Sequence, residues 1–299
     1  MLRLVFLLAL AADVHAANAA VDIDTAATVY QDAAIRQQVR ASLGAMPEQI
    51  RRLFEGDSAA KLNAEQLNAV TSAAKRGFRV DVFEAPALSV FANNLDPATV
   101  KKTEAFLASD IGKRMVQADV AIASMDQADL DKVMNGEIDA PTTPQREVIL
   151  DKLERASRST ESAVQIFLSM GTAVAVGTAV GTGGDPAPVA ERSHKAGEES
   201  RAALEENMRL PLRRYLAYGY RDLSDTDLKH VLAFLDSTAG KHYVSAYVAS
   251  MNAGFDAMGR RCGEQLGESL RELAQAQLAT TQRADSTPPE IALPEPKQH

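Results

Sequence analysis

Residues 95–116 read LDPATVKKTEAFLASDIGKRMV, and residues 223–244 read LSDTDLKHVLAFLDSTAGKHYV. The two stretches agree at Leu95/Leu223, Lys101/Lys229, Ala105/Ala233, Phe106/Phe234, Leu107/Leu235, Ser109/Ser237, Gly112/Gly240, Lys113/Lys241 and Val116/Val244. That is nine identities over 22 ungapped positions at a constant offset of 128, where average composition gives roughly one or two. The spacing predicts an all-α chain of two tandem helical units related by internal duplication. Each copy is expected to form an antiparallel helical hairpin, and the second to continue into a long C-terminal helix.

In the second copy Leu228, Val231, Leu232 and Leu235 fall at i, i+3, i+4 and i+7, one apolar face of a helix. Ser224 with Asp227 is a variant capping box. The first copy opens on Asp96-Pro97, a cap and a first helical residue, and carries Thr103 and Glu104 where the second has Val231 and Leu232. Ser109 and Ser237 are placed to cap the helix that follows, with Gly112 and Gly240 in its first turn.

Beyond the copies, Val29, Ile35, Val39 and Leu43 mark a helical face, and Phe78 to Phe83 (FRVDVF) alternates like a strand. No second alternating run lies nearby to pair with it, so it reads as a helix start or an extended connector. Tyr243, Tyr247, Met251, Phe255, Met258, Cys262, Leu266, Leu270 and Leu273 recur every three or four residues, predicting a final helix over about 238–278. The break at 181–188 (GTGGDPAP) places the unit boundary, giving residues 20–182 and 186–283. Residues 284–299 hold four prolines and no periodicity, and are expected to be disordered.

The first nineteen residues, MLRLVFLLALAADVHAANA, set Arg3 before an apolar run from Leu4 to Ala12 and then small residues. This is the layout of a secretory signal peptide, with cleavage expected after Ala17-Asn18-Ala19, and it implies export. The run is shorter than a membrane span requires. A net charge of -8 argues against nucleic acid or an anionic membrane as the main partner. One cysteine, Cys262, excludes an internal disulfide; with no tryptophan and nine phenylalanines, the core must rest mainly on Ala, Leu, Val and Met.

Chemistry is sparse. The Ser-x-x-Gly-Lys turns (Ser109, Gly112, Lys113; Ser237, Gly240, Lys241) place backbone N–H groups at a helix start beside a cation, an arrangement that can contact an anion or a partner. The simpler reading is structural, because a phosphate loop needs an earlier glycine where both copies have leucine, Leu107 and Leu235. Tyr215, Tyr218, Tyr243 and Tyr247 are candidates to line a shared groove of the second unit. His194, His230, His242 and His299 are too scattered for a zinc cluster, and Asp126, Asp129 and Asp131 lack the pattern of a calcium loop. No metal or cofactor is expected. Cys262, within an apolar stripe, reads as an inert core thiol. Residues 163–184, apolar and free of charge, contain Gly177-x-x-x-Gly181; they are expected to lie buried between the units, the alternative being a membrane or oligomer contact.

The second copy, from Leu223-Ser224-Asp225-Thr226-Asp227-Leu228 to Phe234-Leu235-Asp236-Ser237-Thr238-Ala239-Gly240-Lys241, resembles the bacterial exported family called domain of unknown function 2059. Members carry an acidic-capped helix, a Phe-(Tyr)-x-Ser-(Pro)-x-Gly turn and a long last helix; this chain has Leu235 where an aromatic is usual and Thr238 where proline is common. The resemblance covers about 60 residues and implies an all-helical periplasmic protein of a Gram-negative bacterium, with no catalytic residue to carry over. The expected function is a non-catalytic interaction or ligand-binding role, with an envelope protein or a small ligand as partner. The alternative is an envelope hydrolase whose carboxylates, for instance Asp81 and Glu84, converge only in the fold.

Overall fold

The computed structural model describes residues 20–44, 46–56 and 63–285. The expected signal peptide and residues 286–299 of the proline-rich tail lie outside them. Among the described residues every regular element is an α-helix: α1 (Ile23–Asp32), α2 (Ile35–Leu43), α3 (Met46–Gly56), α4 (Ala64–Gly77), α5 (Val80–Asn94), α6 (Pro97–Leu107), α7 (Asp110–Ala123), α8 (Gln127–Asn135), α9 (Pro144–Ser157), α10 (Ser159–Thr182), α11 (Ala187–Gly219), α12 (Asp225–Asp236) and α13 (Thr238–Asp285). The all-α expectation holds.

Helix α13 runs for 48 residues, about 70 Å at 1.5 Å per residue. Its apolar stripe is the one read from the sequence: Tyr243, Tyr247, Met251, Phe255, Met258, Cys262 and Leu266 are all buried. α5 lies antiparallel along its first half, with Phe91 edge-on to Tyr243 (centroids 6.1 Å apart) and Phe83 edge-on to Phe255 (5.3 Å). The alternating FRVDVF run therefore becomes a helix start. A lone strand would leave its backbone unpaired, whereas a helix from Val80 puts Phe83, Ala87 and Phe91 on one buried face. α4 follows along the second half, where Gly77 meets the backbone of Cys262 and Arg76 donates to Gln265 (2.6 Å).

α10 runs parallel to α13 at close range. A Cβ added at Gly177 or Gly181 would lie 2.3 Å from the carbonyl oxygens of Arg260 and Glu264; one at Gly263 or Gly267 would lie 2.1 and 2.4 Å from those of Val174 and Thr178. Glycine at four-residue spacing on both helices lets the backbones touch. α11 returns antiparallel over the opposite face of α10, with Gly197 against Leu168 and Arg201 bonded to Gln165 (2.8 Å). Residues 159–182 are long and apolar enough to cross a membrane, and here they lie between two helices. The expected burial thus holds for the Ala173, Gly177 and Gly181 face, while Gly171 and Val180 stay exposed.

The expected unit boundary at the 181–188 break does not divide the hydrophobic core. Gly183 (φ 82°) ends α10 and the chain turns directly into α11, but one hydrophobic cluster joins Tyr30, Phe83 and Phe91 of the first unit to Tyr215, Leu228, Tyr247 and Phe255 of the second. The physical reason is α13, whose stripe is longer than its own unit can cover.

Each motif copy folds as a helix, a one- or two-residue turn and a second helix: α6 to α7 through Ala108 and Ser109, and α12 to α13 through Ser237. In both, a Cβ on the first-turn glycine would meet the carbonyl oxygen of Phe106 or Phe234 at 2.0 Å. Gly112→Ala and Gly240→Ala are each expected to destabilise by about 1–3 kcal/mol, because backbone cannot yield as a side chain can. Gly171→Ala, with nothing within 4 Å, should be neutral or stabilising by up to about 1 kcal/mol. Thermal unfolding of the three variants tests the contrast, and equal melting temperatures would remove the close-approach explanation.

Candidate functional site

At the two turns the serines are fully engaged. Ser109 Oγ accepts from the Gly112 N–H (3.1 Å) and donates to the Phe106 carbonyl (2.5 Å); Ser237 does the same with Gly240 (3.0 Å) and Phe234 (2.6 Å). The N–H that would greet an anion is thus satisfied within the turn, and Lys113 and Lys241 are exposed to solvent. The structural reading of Ser109, Gly112, Lys113, Ser237, Gly240 and Lys241 explains their geometry without a ligand.

The structure brings the two turns together. Phe106 stacks on Phe234 with centroids 4.0 Å apart and planes 2° from parallel. Around this stack, positions 128 apart in sequence make matching contacts. Arg114 grips the Asp227 carboxylate with two bonds (2.6 and 2.8 Å). At the matching corner His242 Nδ1 stands 3.4 Å from Asp96 Oδ2 and 3.5 Å from Thr99 Oγ1. The bonds from Arg114 and then Ser224 hold Asp227 well below the usual carboxylate range. Burial pushes Asp96 up, but its bonds from Thr99 and His242 outweigh that and leave it lowered.

Behind the stack lies the tyrosine cluster. The groove expected from Tyr215, Tyr218, Tyr243 and Tyr247 is not a surface feature: Tyr215, Tyr243 and Tyr247 are buried in the core, and only Tyr218 reaches a surface depression. Their rings carry too much apolar area to be left in water on the inner faces of α11 and α13. Tyr220, Tyr243 and Tyr247 lie around Asp119 of α7, a carboxylate buried in the protein. Its one charge-relevant contact is the Tyr220 hydroxyl, which donates to Oδ1 at 2.9 Å. Burial pushes the Asp119 carboxyl up to about 7, against the smaller lowering by that bond. Among the described carboxylates with a resolved shift, it alone is raised. Burial, and then the field of Asp119, raise Tyr220 and Tyr243; burial and neighbouring phenols raise Tyr247.

Outside this cluster, the walls of α7 and the α11–α12 connection enclose an open depression of about 410 Å³. Ala118, Ile122 and Leu223 give its lining an apolar part, and Arg114, Gln117, Arg221 and Asp222 a polar one. The Arg221 guanidinium lies over the Tyr218 ring, 4.1 Å from its centroid. The connection is fixed from behind by Arg146 of α9, itself buried, which donates to the carbonyls of Tyr220 (2.6 Å) and Leu223 (2.9 Å) and to Asp225 (3.0 Å). Neither Asp119 nor Arg146 stood out in the sequence. One signal pointed to the first: Asp119 plus the 128-residue offset is Tyr247, a position inside the buried stripe of α13.

The remaining candidates are structural. Burial pushes the Cys262 thiol up to about 12, which keeps it protonated and inert. Asp81 and Glu84 do not form an acid–base pair: Arg79 binds Asp81 (2.7 Å) and lowers it, Arg36 binds Glu84 (2.6 Å), and Pro86 sits inside α5 instead of at a turn. Asp126 caps α8, while Asp129 pairs with Lys132 (2.8 Å) on an exposed helix face. Among the described residues no group of three or more His, Cys, Asp or Glu side chains could hold a metal ion. Comparison with known proteins finds no matching family model, no matching curated protein and no matching solved structure.

Two outcomes are expected. Arg146→Met should cost about 2–4 kcal/mol in chemical denaturation, because it strands buried carbonyls and Asp225; a loss under about 0.5 kcal/mol would show that the clamp is dispensable. Asp119 carries a pH signature. The unfolded carboxyl titrates near 3.8 and the folded one near 7, so between about pH 4 and 7 the unfolded chain releases a proton that the folded chain keeps. Stability from this group is therefore full in acid, falls across that window by on the order of 4 kcal/mol, and is level above it. Asp119→Asn should be close to wild type at pH 4 and more stable at pH 8; parallel stability profiles for the two proteins would sink this account.

Proposed function

We propose that the chain is a periplasmic, non-catalytic binding protein built from two duplicated helical units, taking a small ligand with an anionic group on an apolar stem. The observation that carries the reading is the depression beside Tyr218. Its volume, about 410 Å³, falls in the range of small-molecule sites, its lining is partly apolar, and it presents Arg221, about half exposed and 3.8 Å from Asp222, while the fork of Arg114 is engaged by Asp227. Arginine held flat against an aromatic ring loses little freedom on meeting a carboxylate, and its fork matches two acceptor oxygens. Export is supported by the layout of residues 1–19 and by the resemblance of the second copy to an exported helical family.

A non-catalytic role is supported by how the reactive side chains are spent. Ser109 and Ser237 both donate and accept within their turns, Cys262 is held protonated, and Asp81 is tied to Arg79. Asp119 has the acidity of a general acid but is closed off from any substrate.

Native mass spectrometry of the mature protein, purified from periplasm without detergent, tests the reading. The expected result is a small-molecule adduct on the wild type that is lost in Arg221→Glu. A bare mass for both proteins, or an adduct retained by the variant, would overturn it.

A further inference from the structure

Leu210, Arg213, Arg214 and Ala217 fall at i, i+3, i+4 and i+7, so they share one face of the last turns of α11. That face borders a second depression of about 410 Å³, whose other wall is the connection from α8 to α9. It shares no lining residue with the depression beside Tyr218. The connection is anchored where it starts. Gly136, at φ 79°, ends α8, and the N–H groups of Glu137 and Ile138 both donate to the Lys132 carbonyl, at 2.8 and 3.2 Å. Ile138 and Asp139 then line the depression.

The charged groups of this lining are used unequally. Arg213 of α11 and Glu147 of α9 pair with each other. Arg214 has one bond, from Nη1 to the Met134 carbonyl (3.2 Å), and among the described residues neither it nor Asp139 has a partner of opposite charge. The Arg214 guanidinium is nevertheless held in place. A Cβ added at Gly136 would lie 2.5, 2.6 and 2.9 Å from its Cζ, Nη2 and Nη1, so the group lies flat over the glycine. Its single bond uses one of five N–H donors, and the fork is ordered before any ligand arrives. Asp139 follows Gly136 by three residues, so at most about 10 Å of backbone separates the seat of the guanidinium from that of the carboxylate.

We propose that this depression is a second binding site, and that it takes a free α-amino acid with an aliphatic side chain. Arg214 receives the carboxylate on its fork, Asp139 receives the ammonium group, and the side chain lies on Leu210, Ile138 and Ala217. Two arginines and two carboxylates line the site, so its charges balance, and a molecule carrying both signs suits it better than a bare anion or cation. Leu210 is 54% exposed, and an aliphatic group laid over it removes apolar surface from water. The two ends of an amino acid, each at hydrogen-bond distance from its partner, fit within the span between Gly136 and Asp139. The inference stands apart from the binding role given to the depression beside Tyr218.

Calorimetric titration of the purified protein with three probes tests it. L-Leucine should bind saturably, and at least about tenfold more tightly than N-acetyl-L-leucine, which lacks the ammonium group, or L-leucinamide, which lacks the carboxylate. Arg214→Gln should weaken leucine by a similar factor, while Arg221→Glu, in the other depression, should leave it unchanged, so failure of one site is separate from failure of the other. Asp139→Asn, at an exposed position outside any helix, should fold normally and close the gap between leucine and N-acetyl-L-leucine. Absence of saturable leucine binding, equal binding of the three probes, or an equal loss in Arg221→Glu would overturn the proposal.

Discussion

The burial of one face of α13 is the constraint on which the other helices depend. A chain with no tryptophan and a single cysteine has neither large indole anchors nor a disulfide to hold separate parts in place. Its stability must come from many modest apolar contacts arranged along a continuous surface. The stripe from Tyr243 to Leu266 supplies that surface, and α4, α5 and α10 are positioned by how each meets it. α5 meets it with phenylalanines, at aromatic edge contacts. α10 meets it with glycines, at backbone contact. These are two solutions to one packing problem.

The same surface explains why two units do not mean two cores. A duplicated hairpin is expected to bury its own apolar face, and the Phe106–Phe234 stack shows the two copies meeting face to face around a common centre. The contacts there differ between the two stretches. Where one corner keeps a bidentate arginine–carboxylate pair, the other has a histidine at longer range. At the next equivalent pair, Asp119 on α7 and Tyr247 on α13, a carboxylate stands at one position and a phenol at the other. The polar centre of the core thus arises where the two copies differ, while their shared residues make the turns and the stack.

Much of the fold was legible because it follows from local rules. The serine caps, the Ser224–Asp227 box, Pro97 at a helix start and the long stripe of α13 are all consequences of helical spacing and end chemistry. What was not legible depends on distance in sequence. Periodicity places Tyr215, Tyr243 and Tyr247 on apolar faces, yet it is silent on which helix will cover them, so a core cluster and a groove look the same. Asp119 reads as an ordinary polar residue of a helix until α13 and Tyr220 are laid over it. Arg146 offers no local sign, since its partners are backbone carbonyls of a segment more than seventy residues later.

The position of α13 at the far end of the described chain also governs the order in which the molecule can assemble. The α4 helix makes its closest packing against Cys262, and Arg76 reaches a partner 189 residues away. α5 likewise sets Phe83 against Phe255 of the last helix. The early helices can form their local turns at once, but they cannot bury their faces while the last helix is still missing. Such a chain closes its core late and through contacts of high sequence separation, which slows folding and prolongs the exposure of apolar surface. A nascent molecule is therefore at its most aggregation-prone just before completion, and a helper that shields α4 and α5 would act best in that interval.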